Sequence, residues 1–122
     1  MKSKYPYVLS SSKICGDQVK NAAGENLGKI EDLMIDLNTG RIAFAVLSFG
    51  GFLKMGSKFF AIPWEALKLD SAKKGFVLNV EKSRLENATG FDKDNWPNMA
   101  DPAFGSTLYS HYGYKPYWED AA

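Results

Sequence analysis

Asn26, Glu31, Asp32, Asp36 and Asn38 crowd into, or just ahead of, the stretch LGKIEDLMIDLNTGRI at residues 27–42. Carboxylates and amides at this density suggest either cation binding or proton transfer. Asp36 and Asn38 stand where the first and third ligands of a calcium loop would be. That loop also needs a glycine at its sixth position and a glutamate at its twelfth, and the chain has Arg41 and Leu47 there. General acid and base work would pair Glu31 with Asp32 or Asp36. Neighbouring residues on a strand point to opposite faces, so Glu31 and Asp32 converge only if a bulge places them together. The plainer reading makes these acids the wet side of a structural element, and no catalytic pair is assigned.

The remaining reactive groups are sparse. Gly51 and Gly56, followed by Ser57 and Lys58, have the glycine spacing of a phosphate loop. The Lys and Ser are in the wrong order and the next segment reads as a strand, so the helix N-terminus that would hold a phosphate is missing. Cys15 has no second cysteine for a disulfide, and with His111 alone it cannot build a tetrahedral zinc site within the chain. Cys15 reads as a small, partly buried residue rather than a reactive thiol. No metal, cofactor or catalytic residue is expected, and the chain is not expected to be an enzyme. Asn87-Ala88-Thr89 is a glycosylation sequon that matters only in a secreted protein.

The elements that must position the acids are only partly decided by pattern. Leu27, Ile30, Leu33, Met34 and Leu37 fit helical spacing, whereas Leu33, Ile35 and Leu37 alternate as in a strand with Ile30 out of phase. A β-bulge near Glu31 and Asp32 would restore that phase. Asn38-Thr39-Gly40 is turn chemistry and leads into RIAFAVLSFG, which is rich in strand-forming residues, so context favours a hairpin. KFFAIP reads as a further strand ended by Pro63, PWEALKL as one helical turn, FVLNV as a strand, and EKSRLENA as a short helix or turn. Closely spaced antiparallel strands over 13–88 predict an all-β fold, a small barrel or sandwich.

Net charge is +1, with 15 basic and 14 acidic residues, and the lysines are scattered, which argues against a nucleic-acid partner. The N-terminus has no apolar core of a secretion signal, and the longest apolar run, Ile42 to Leu47, is far short of the roughly 20 residues of a membrane span. A cytoplasmic protein without a membrane span is expected. Residues 89–122 form a separate extension, and from Phe91 onward they hold eight of the seventeen aromatic residues but few aliphatic ones. Such a tail would cover its own barrel, a second subunit or another protein, or remain extended. Phe52, Leu53, Trp64, Tyr112 and Tyr114 are the expected partner-contact residues, with homodimerisation the simplest way to bury them.

Gly24-Glu25, Leu27-Gly28-Lys29-Ile30-Glu31-Asp32-Leu33, Ile35-Asp36, Thr39-Gly40-Arg41-Ile42, Gly50-Gly51-Phe52 and Ala61-Ile62-Pro63-Trp64 together resemble a PRC-barrel domain. The resemblance implies a small barrel of about six strands. It also implies a docking role on a larger assembly, as for the cytoplasmic PRC-type domain of the photosynthetic reaction centre or the C-terminal domain of a ribosome-maturation factor. The expected function is therefore a self-associating adaptor. The two alternatives are support of an electron-transfer complex of the reaction-centre kind, with Glu31, Asp32 and Asp36 as surface acids, and association with ribosomes or RNA processing.

Overall fold

A computed structural model describes residues 7–50, 57–70, 75–86, 90–92 and 94–119. In chain order the elements are α1 (Ser11–Ile14), β1 (Gln18–Lys20), β2 (Asn26–Asp36), β3 (Arg41–Gly50), β4 (Ser57–Pro63), a 3-10 turn (Trp64–Ala66), β5 (Leu67–Leu69), β6 (Phe76–Leu78), α2 (Lys82–Glu86), α3 (Pro102–His111) and a second 3-10 turn (Tyr117–Glu119).

Strand β2 explains why its sequence imitates a helix. Leu27, Ile30 and Leu33 are all buried in one core although they recur every three residues. Against β1, Val19 faces Gly28 and Lys20 faces Asn26, so Leu27 is an extra residue; against β3, Ile30 faces Leu47 and Asp32 faces Val46, so Glu31 is another. Each extra residue resets the two-residue alternation and returns the next apolar side chain to the inner face. The bulge expected near Glu31 and Asp32 is present, and both acids stay exposed on the outside of it.

The six strands form one curled sheet, a half-barrel in the order β4-β3-β2-β1-β6-β5. Four of its pairs are antiparallel, as expected, and the fifth, β1 with β6, is parallel. A parallel pair needs a long crossover, and here everything from β2 to β5 lies between the two strands. Pro63 caps the 3-10 turn at Trp64 from outside, so the helical turn expected over PWEALKL begins one residue later than its proline.

The inner face of the curl packs Val19, Leu27, Ile30, Leu47, Phe60, Ile62 and Leu78, among others. On β3, Ala45, Leu47 and Phe49 face this core, while Phe44 belongs to a second cluster with Ala61, Tyr109 and Tyr117. A strand buried on both faces reads as a continuous apolar run, which is what RIAFAVLSF is. What covers its second face is the C-terminal extension.

That extension first pairs with the sheet edge. Phe91 and Phe59 exchange backbone hydrogen bonds of 2.9 Å each, and Phe59, Phe91 and Trp96 pack edge to face. It then forms α3, a helix that the sequence pattern did not announce. Asp101 caps its start by accepting from the Ala103 amide at 3.0 Å, and Pro102 occupies the first turn, where a missing N–H does no harm. Its end is a Schellman turn: the amides of Gly113 and Tyr114 donate to the carbonyls of Ser110 (3.0 Å) and Tyr109 (2.9 Å). The Arg84 guanidinium on α2 donates to the His111 carbonyl at 3.1 Å and ties that end to the barrel.

Candidate functional site

The tip of the β2–β3 hairpin holds the most suggestive acid of the sequence. Asp36 Oδ1 accepts from the Asn38 amide at 2.9 Å, and the Asp36 carbonyl accepts from the Gly40 amide at 2.8 Å, a turn closed by its own side chain. The other carboxylate oxygen, Oδ2, accepts from the Tyr117 hydroxyl at 2.6 Å. The Arg41 guanidinium stacks 4.4 Å from the centre of the Tyr117 ring, so one tyrosine is gripped from two directions. Asp36 is therefore a latch between the hairpin and the extension.

These bonds shift both groups. The Tyr117 hydroxyl, followed by the Asn38 amide, holds the Asp36 carboxyl below its usual range. Burial, followed by the hydrogen bond to Asp36, pushes the Tyr117 phenol up to about 12. A lowered carboxyl stabilises the latch above the unfolded value of about 3.9 and is lost as pH falls below it; a raised phenol stabilises it below about 10 and is lost as pH climbs from there towards 12. Docking of the C-terminal turn is expected to be constant between about pH 5 and 9 and to loosen on both sides. The Trp118 indole N–H resonance, followed across pH, checks this. Tyr117→Phe should abolish both limbs, because the phenol is gone and the Asp36 carboxylate then has no bond to the turn, and an unchanged profile would show that the latch does not hold the turn.

Trp118 lies on Gly105 of α3, where an added Cβ would sit 2.7 Å from the indole, and its ring is 5.1 Å from that of Tyr109. Between this aromatic block and the hairpin tip runs a groove of about 470 Å³. Met34, Ile35, Asp36, Leu37, Asn38, Ala43 and Phe44 form one wall; Met99, Ala100, Asp101, Pro102, Tyr117 and Trp118 form the other. The lining is mostly apolar and contains no lysine, arginine or histidine among the described residues. On its rim Ile35 is 46% exposed and Leu37 91% exposed, large apolar side chains left in water.

Residues 8–85 match the PRC-barrel domain family. The chain belongs to that family. The match covers the hairpin wall of the groove, whereas Met99 to Trp118 lie beyond it, so the groove of this PRC-barrel chain is completed by its own extension. Membership marks a small protein-interaction module, from a family that is generally non-catalytic. Comparison with curated proteins returned no match. Among the described residues no helix is long and apolar enough to cross a membrane, and no three His, Cys, Asp or Glu side chains gather in a way that could hold a metal.

The residues singled out from the sequence are dispersed in this PRC barrel. Glu31 and Asp32 do not join Asp36; Asp32 accepts from the Leu33 amide at 2.8 Å, and both acids sit near Cys15. Burial, then Asp32, Glu31 and Asp17, push the Cys15 thiol up, the opposite of activation. Trp64 is half-buried, its ring 5.7 Å from that of Phe76. Tyr112 and Tyr114 are half-buried against the barrel core, and Tyr114 also touches the cluster under α3. Phe52 and Leu53 lie outside the described residues. The groove residues Met34, Leu37, Met99, Asp101 and Trp118 were not foreseen. The signals that would have found them are the Asp101-Pro102 helix start, the Gly113 stop and the doubly apolar β3.

Proposed function

We propose that this PRC-barrel chain is a non-enzymatic cytoplasmic adaptor that self-associates and docks on a larger assembly, with residues 13–88 as the barrel and 89–122 as its cover. The observation that carries the proposal is the pair Ile35 and Leu37, exposed beside an apolar groove on a fold whose family consists of interaction modules. Near-neutral charge supports a protein partner over a nucleic acid. Self-association is assigned to Phe52 and Leu53, with the exposed edges of Trp64, Tyr112 and Tyr114 contributing.

Light scattering after size exclusion tests this directly. The full chain is expected at twice its 13.5 kDa mass, and the double variant Phe52→Ser, Leu53→Ser at the single mass. A wild-type chain that stays at 13.5 kDa at every concentration would remove self-association from the proposal.

A further inference from the structure

The groove itself says what kind of partner it fits. We infer that it holds a peptide segment of a partner protein in which a large apolar side chain stands next to lysine or arginine. This rests on the adaptor reading and specifies one of its docking sites. The apolar part follows from the half-buried Met34, Met99 and Trp118, with Phe44 behind them: the indole gives an aromatic surface, and two unbranched thioethers adapt to whatever side chain enters. The exposed Leu37 extends the apolar surface past the mouth of the groove, which suits a chain running across it better than a small molecule enclosed by it.

The charge follows from the two ends. Asp36 borders the groove on the hairpin side and Asp101 on the helix side, and no described cation lines the space between them. Arg41 is outside the lining, turned onto the Tyr117 ring. Asp101 uses Oδ1 to cap α3, and Asp36 remains a carboxylate while it accepts from Tyr117 and Asn38. Entry of an apolar segment would bury part of both charges, so cations flanking the anchor satisfy them and anions there are repelled.

Methyl NMR of the full chain reads the groove locally, since Met34 and Met99 stand on its opposite walls. The probes are a short synthetic peptide with Phe-Leu at its centre flanked by lysine and arginine, and its charge-reversed form with glutamate at the flanks. The basic peptide is expected to shift both methyls in a saturable way, the acidic one to bind at least about tenfold more weakly. Leu37→Ser, at an exposed position, is expected to weaken the basic peptide about threefold or more without altering the fold, and Met99→Lys to abolish the shift of the remaining Met34 methyl. Equal binding of the acidic peptide, or methyls that do not move, would overturn the assignment. So would shifts produced by raising the concentration of the chain alone, which would identify a second copy as the occupant. If the methyls stay still while the Phe52/Leu53 variant loses its dimer, the groove assignment fails and the adaptor reading stands; still methyls together with a monomeric wild type would sink both.

Discussion

Tyr109→Ala is expected to destabilise the whole domain by about 3–5 kcal/mol, a large share of what holds a domain of this size together. Tyr109 is 0% exposed, with its ring 5.6 Å from Phe44 and 5.1 Å from Trp118, so truncation opens a cavity between α3 and the sheet. Its hydroxyl also completes the strand it packs on. Met34 faces Phe44 and Ile35 faces Ile42, so Ala43 is an extra residue on β3, and the Tyr109 hydroxyl donates to its carbonyl at 2.7 Å. Tyr109→Phe keeps the ring and leaves that acceptor without its donor, for an expected loss of about 1–2 kcal/mol. Urea denaturation followed by tryptophan fluorescence checks both variants. If Tyr109→Ala left the midpoint where it was, the extension would be draped over the sheet rather than part of its core.

That dependence shows where the sequence was legible and where it was not. The hairpin, its turn and the Glu31 bulge follow from local chemistry: turn residues, strand formers, and an apolar residue out of phase. The second face of β3 is a different matter, because Phe44 and Ala61 acquire meaning only through Tyr109, which lies far along the chain. Composition alone shows aromatic residues with few aliphatic ones after Gly90 and suggests a docking tail; the caps at Asp101 and Gly113 were there to mark a helix. Asp36 was visible as an acid but not as a latch, since its partner Tyr117 is 81 residues away.

The same distance explains why the groove belongs to this chain rather than to the matched domain alone. A barrel without the extension would present Phe44 and Ala61 to water; with it, the apolar surface is narrowed to the groove and to Ile35 and Leu37 on the rim. The extension thus covers the barrel and shapes a recognition surface, and the Asp36–Tyr117 bond fixes the width of that surface by holding one wall to the other.

Gly28→Ala is the second substitution expected to be severe, and for a reason separate from packing volume. Gly28 sits beside the first bulge of β2 with φ +131°, in a region that L side chains rarely adopt. A Cβ there would overlap the Ser48 carbonyl oxygen and lie 3.2 Å from the Phe49 Cα, both backbone atoms of β3. Neither can swing aside as a side chain can, so relief requires β2 and β3 to part. The strained backbone costs about 1–3 kcal/mol and the overlap about 1–3 kcal/mol more. Gly40→Ala is the matched control: φ is +78°, but nothing lies within 4 Å of the added atom, so only a conformational cost of about 1–2 kcal/mol remains. Thermal melts of both variants should show the larger fall for Gly28→Ala, and equal falls would mean that the sheet yields at the bulge. The bulges set the phase that sends Ile30 and Leu33 inward and carries Asp36 to the hairpin tip, so loss at Gly28 should also release the Tyr117 latch, visible as a shifted Trp118 indole resonance before global melting.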